Sequence, residues 1–203
     1  KRAEPWERLA LVRHRVLLGG REVRRKLKRR IEEFVYRPEW NPAVVAELAR
    51  IRLRMEMELG KEAEAQRFHL KAGAGGLVDV EFAIQLLQMK YGAASKALRV
   101  PNTLAALQRL LGRRLITKTQ YSILYDGYGF LRLLENRLRM ASPSGGPHFP
   151  RSQESISRVF RLLNPTMDAS PTQVEEFERI YLTHTRQIRA EYQKIVARLS
   201  SKS

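Results

Sequence analysis

Apolar residues recur along this chain at intervals of three and four, the spacing that gathers them on one face of an α-helix. Trp6, Leu9, Ala10, Val12 and Val16 predict a first helix over about 4–17, closed by Gly19-Gly20. Val23, Leu27 and Ile31 mark a second over about 21–36, stopping before Pro38. Asn41-Pro42 has the form of an N-cap followed by proline at the first helical position, and Val44, Val45, Leu48, Ile51, Met55 and Leu59 carry that helix toward Gly60. Further helices are expected over about 76–91, from Pro101-Asn102 to Leu111, from Thr117 to Met140, over about 152–163, and from Ser170-Pro171 to about 199. Arg67-Phe-His-Leu70 could be extended, and Pro143-Ser-Gly-Gly-Pro-His-Phe-Pro150 has the Pro and Gly content of a loop. No repeat and no sustained alternation is present. The pattern predicts an all-α fold, a bundle of about seven to nine helices forming a single domain over 1–203, with 143–150 as the place where it could divide.

One junction departs from ordinary helix punctuation. Lys71-Ala-Gly-Ala-Gly-Gly-Leu-Val-Asp-Val-Glu-Phe82 runs a lysine and three glycines straight into an apolar helix. Glycines allow close backbone approach and a helix start offers N–H groups to an anion, so the junction can be written as a phosphate cradle or as a tight turn. It lacks the Gly-Lys-Ser/Thr of a P-loop and the strand of a dinucleotide fingerprint. In the helix beyond the junction, Glu81, Gln85 and Gln88 share one narrow polar stripe and apolar side chains cover the rest, which predicts burial. Asp79 falls on an apolar side. Two residues apart, Asp79 and Glu81 do not face each other and cannot form a paired-carboxylate metal site. A buried Asp79 requires a basic partner or first-turn N–H groups, whereas Glu81 is expected to face solvent. Arg132, Glu135 and Arg139, spaced three and four apart, form a ladder that predicts a structural ion-pair network and offers a candidate partner for Asp79.

Composition restricts the partners. The chain has 38 Lys+Arg against 21 Asp+Glu, a net charge of +17, which favours a polyanionic partner: nucleic acid, nucleotide phosphates or an acidic protein surface. The densest basic stretch is Arg21 to Arg30, which as readily forms a solvated helix face. With no cysteine there is neither disulfide nor thiolate metal site, as suits a reducing cytoplasm, and His14, His69, His148 and His184 lack ligand spacing; no metal site is expected. There is no apolar run long enough to span a membrane. Lys1 in place of Met is the mark expected of a piece of a longer chain.

The segment Lys71-Ala-Gly-Ala-Gly-Gly-Leu-Val-Asp-Val-Glu-Phe-Ala-Ile-Gln85 resembles the signature of the helical domain of bacterial glutamine-synthetase adenylyltransferases. The related PII-uridylyltransferases share its Lys…Gly-Gly…Asp part and typically lack Glu81-Phe82. Trp6-Glu7, Ala10-Leu-Val-Arg13, Arg15, Arg99, Pro101-Asn102-Thr103-Leu104 and Phe130-Leu-Arg132-Leu-Leu-Glu135-Asn-Arg137-Leu138 resemble the family in the same order. The Asp79-Val-Glu81 form is similar to that of the carboxy-terminal, adenylylating half, and the polar final helix is expected to end at a natural C-terminus.

The resemblance implies a helical domain that follows a nucleotidyltransferase domain, in a cytoplasmic enzyme that transfers AMP from ATP to glutamine synthetase and removes it, regulating nitrogen assimilation. It implies ATP and Mg²⁺ as cofactors of the intact enzyme, and glutamine synthetase, the PII signalling protein and the upstream catalytic domain as partners. The acidic Gly-Ser-x-x-Asp-Leu-Asp-type motif that performs the family's chemistry does not occur in this sequence. No catalytic residue is therefore expected here, no tightly held cofactor, and no transferase activity from these residues alone. The implied role is support: Lys71 and the Gly75 and Gly76 amides facing phosphate, Asp79 orienting a basic group or metal-bound water, and Arg13 or Arg15 lining the same interface. The alternative is a basic helical nucleic-acid-binding module. It explains the charge, but lacks interleaved aromatic and basic residues and a short helix-turn-helix.

Overall fold

Eight α-helices account for most of the chain in a computed structural model that describes residues 4–37, 39–60, 67–141, 148–150 and 152–201. They are α1 (Pro5–Leu11), α2 (Arg21–Val35), α3 (Pro42–Met55), α4 (Leu77–Tyr91), α5 (Thr103–Gly112), α6 (Lys118–Ala141), α7 (Gln153–Leu163) and α8 (Pro171–Ser200). A π-helical turn, Glu56–Gly60, extends α3, and a 3₁₀ turn, Lys96–Leu98, precedes α5. The all-α expectation holds, with one small addition. Strands β1 (Arg67–His69) and β2 (His148–Pro150) pair antiparallel, Phe68 opposite Phe149. The end of the expected 143–150 loop is thus a strand; 142–147 lie outside the described residues. Phe149 supplies the reason, since its fully buried ring stacks on Tyr181 at 4.4 Å and meets Phe177 at 5.6 Å.

Helix starts obey local chemistry. The side chains of Glu4 and Glu7 form a capping box at α1, Asn102 accepts from the Ala105 N–H at α5, and Ser170 with Gln173 closes a reciprocal pair at α8. The main misplacement is α1, which ends at Leu11 rather than about residue 17. The His14 ring lies 2.8 Å from the Leu11 carbonyl, the Val12 N–H turns back to Leu9, and Leu17 and Leu18 are exposed, with nothing to pack against.

The chain divides into two compact units, and the divisions fall within α3, α4, α6 and α8. The first comprises 1–51, 81–121 and 194–203. Its core includes Leu9, Val35, Val45, Leu48, Leu87 and Leu107; Arg8 Nε ties the Val35 carbonyl at 2.8 Å, and Trp40 donates to the Leu199 carbonyl at 3.3 Å. The supposed polar stripe of α4 is inside: Gln88, 1% exposed, donates to the Leu98 and Val100 carbonyls at 2.6 and 2.8 Å. A buried amide is stable there because both partners are supplied. The second unit comprises 52–80 and 122–193, with a core of Leu70, Val78, Leu124, Leu131, Phe149, Ile156 and Ile188.

Candidate functional site

In the second unit the lysine–glycine junction connects β1 to α4 and is held almost entirely by its own backbone. His69 Nδ1 accepts from the Lys71 and Ala72 N–H groups at 3.2 and 2.9 Å, which places the imidazole proton on Nε2. The Gly73 N–H donates to His69 O, Gly76 to Gly73 O, Leu77 to Leu70 O and Val78 to Lys71 O, all at 2.8–3.0 Å. The Gly75 N–H donates to Asp79 Oδ2 at 2.8 Å. The Gly75 and Gly76 amides expected to face a phosphate are therefore occupied within the loop, a correction that stems from the tightness of the turn. The glycines answer a different requirement. Gly75 has φ +71°, and a Cβ there would lie 1.8 Å from the Thr185 carbonyl oxygen; at Gly76 a Cβ would lie 2.7 Å from Leu70 O.

Asp79 is fully buried and both its oxygens are engaged. Arg52 Nε donates to Oδ1 at 2.6 Å, and Arg189 Nη1 lies 3.2 Å from Oδ2. Arg52, itself 1% exposed, also donates to the Gly73 carbonyl at 2.8 Å and approaches Glu56 at 3.2 Å, while Arg189 reaches Glu56 at 3.0 Å. The result is a closed network of two arginines and two carboxylates that locks the glycine turn, the π turn and α8 together. Burial, followed by the negative charge of Asp79, pushes the Tyr192 hydroxyl up to about 12; its ring lies 5.6 Å beneath the Arg189 guanidinium. At the edge of this network a hollow of about 320 Å³ is lined by Phe68, Ala74, Arg186 and Arg189 among others. Arg189 is thus part lock and part rim, and Lys71, three residues before Ala74 of the lining, is exposed.

The partners expected for Asp79 are not the ones found. Glu135 does pair with Arg132 (2.5 Å) and Arg139 (3.2 Å), but those arginines are 48% and 70% exposed and the group sits at a solvent rim. Arg52 and Arg189 were legible in principle. Arg52 continues the stripe of Val45 and Leu48, and Arg189 stands four residues after Thr185 and three before Tyr192, both buried. A basic residue in register with a buried stripe announces a buried acid elsewhere. In the first unit, Arg13 pairs with Glu81 at 2.8 Å, so Glu81 is partnered rather than free in solvent, and Arg15 lines a separate basic concavity.

Around Asp79 the described residues present guanidinium groups paired with carboxylates. Among the described residues no cluster of three or more His, Asp or Glu is placed to hold a metal, and Asp79 and Glu56 face guanidinium groups; these residues do not fit Mg²⁺. Among the described residues no helix is long and apolar enough to cross a membrane.

The largely helical stretch that carries this locked lysine–glycine turn is the part of the chain that matches a nucleotidyltransferase family. The model of the GlnD PII-uridylyltransferase family matches residues 49–196, and the chain belongs to that family. Among curated relatives it is similar to the bifunctional glutamine synthetase adenylyltransferase/adenylyl-removing enzyme of Corynebacterium efficiens, 30% identical over 97% of this chain and 18% of the relative. Enzymes of the same name from Corynebacterium diphtheriae and Nocardia farcinica are 34% and 36% identical over 68% of the chain, covering 13% and 14% of their own lengths. The chain spans less than a fifth of the curated relatives it matches.

Proposed function

We propose that this chain is the helical segment of a bifunctional adenylyltransferase, one that transfers AMP from ATP to glutamine synthetase and removes it again to regulate nitrogen assimilation. The supporting observation is the continuous similarity of 97% of the chain to an enzyme of that name. The segment belongs to the adenylylating half, supports the nucleotide cleft of an upstream catalytic domain, and docks glutamine synthetase or the PII protein. ATP and Mg²⁺ are held by the catalytic domain. On this chain Lys71, Arg186 and Arg189 supply the cations that face phosphate, since neutralising charge on a transferring phosphoryl group is the larger part of such catalysis. Asp79 fixes Arg189 in position, Gly75 allows the turn to pack beneath Thr185, and Gly76 lets the turn close on the Leu70 and Lys71 carbonyls. Arg13 and Arg15 remain candidates for the domain interface.

Two measurements test this. In the full-length enzyme Lys71→Ala should raise the KM for ATP by roughly tenfold with unchanged circular dichroism; unaltered kinetics would remove Lys71 from the cleft. The 203 residues alone should transfer no AMP to glutamine synthetase, and measurable transfer would overturn the division of labour. The nucleic-acid-binding alternative is favoured by the exposed cations of α2, and predicts duplex binding that weakens steeply with salt.

A further inference from the structure

The first unit contains a second concavity, about 530 Å³ in volume, between α2, the segment 12–16 and the Arg99–Pro101 turn. Six cations line it against one carboxylate, Glu32. Lys28 and Arg99 pair with Glu32 at 3.7 and 3.1 Å. The remaining four, Arg15, Arg21, Arg24 and Arg25, have no carboxylate partner among the described residues. One wall is rigid: Arg99 donates to the Gly92 and Ala93 carbonyls at 2.9 and 3.3 Å, and its guanidinium lies 4.9 Å from the Tyr36 ring. The floor is apolar, formed by Val12, Val16 and Pro101. Solvated surface arginines alone would present neither an apolar floor nor an anchored wall, and the volume falls in the range of roughly 300–1,000 Å³ typical of small-molecule sites.

We infer that this concavity is a binding site for a phosphorylated ligand of nucleotide size, its apolar body on Val12, Val16 and Pro101 and its phosphates against Arg21, Arg24 and Arg25. Guanidinium groups hold phosphate through paired, charge-assisted hydrogen bonds, and bringing four of them together without an anion leaves repulsion that such a ligand relieves. The site shares no residue with the Lys71 turn, and Arg15 is the one residue it has in common with the interface proposed above.

ATP is the probe, titrated calorimetrically into the full 203-residue chain at about 0.1 M salt, where exposed charges are screened beyond about 10 Å. Saturable one-to-one binding is expected. Arg21→Ser combined with Arg24→Ser should weaken it at least about tenfold, while Arg139→Ala, an exposed arginine outside the concavity, leaves it unchanged. These arginines are exposed, so the helical circular dichroism should not change; Arg15→Ser provides a second variant, on a different segment. Tripolyphosphate, which lacks an apolar body, should compete but bind more weakly. ATP binding that survives the double substitution overturns the inference, as does binding lost in Lys71→Ala alone, which would instead place the nucleotide at the turn. Affinity for single-stranded DNA that grows with length, with no saturable ATP binding, would also overturn it and identify an open polyanion face.

Discussion

Two clusters of arginine in this molecule use the same side chain in opposite ways. Around Asp79, Arg52 and Arg189 face carboxylates and a carbonyl at 2.6–3.2 Å, and Arg52 has lost nearly all contact with water. Along α2, Arg21, Arg24 and Arg25 are exposed and have no acid to meet among the described residues. Taking a guanidinium out of water is costly, so the first cluster persists only because every charge is answered, and removing one member leaves another stranded. The second costs little to maintain and is free to receive a ligand. A net charge of +17 thus mixes cations that hold the fold with cations that the fold holds out.

Breaking the lock gives the largest effect. Asp79→Ala strands Arg52 and should lower unfolding free energy by about 3–5 kcal/mol in urea titration; a loss below about 1 kcal/mol would mean that the network is not the closed unit described. Gly75→Ala comes next, at roughly 3 kcal/mol, because its Cβ has no room beside the Thr185 carbonyl and its φ is positive.

A smaller effect should appear with pH. Burial first, then the neighbouring His148, Lys71 and Arg52, holds the His69 imidazole below its ordinary value. Its contribution to stability is complete above the unfolded value of about 6.5 and is lost as pH falls below it, because the unfolded chain takes up the proton first. His69→Asn, whose side-chain oxygen can accept from the same amides, should flatten the dependence of melting temperature on pH between about 7 and 5; an equally steep curve would exonerate His69. The smallest effects belong to exposed arginines: Arg139→Ala and Arg24→Ser should each change stability by no more than about 0.5–1 kcal/mol. For Arg24 the contrast with the weakened ATP binding of the Arg21→Ser, Arg24→Ser double variant is the decisive comparison.

Much of the fold is legible because helical periodicity and capping residues are local properties. The N-caps at Asn102 and Ser170 and the burial of α4 can be read from single stretches of sequence. The failures are non-local. β2 exists because Phe149 finds Tyr181 and Phe177, and α1 stops early because Leu17 and Leu18 find no partner. The site divides similarly. Asp79 stands out as a misplaced acid, but its partners lie 27 and 110 residues away. The glycines signal close backbone approach, yet the sequence does not distinguish an approaching phosphate from the approaching carbonyl of Thr185.

The π-helical turn at Glu56–Gly60 makes chain length adjustable beside the lock. A π turn holds one residue more than an α turn, as though a single amino acid had been inserted into an otherwise regular helix. Glu56, where that widening begins, is also the carboxylate shared by Arg52 and Arg189. Deleting one residue from the turn would restore ordinary winding over nearly the same sweep of backbone, four residues covering what five cover now. In this part of the molecule residue number is itself a structural variable: a one-codon deletion after Glu56 would be absorbed by the turn, leaving Arg52 and Glu56 four apart on the helix.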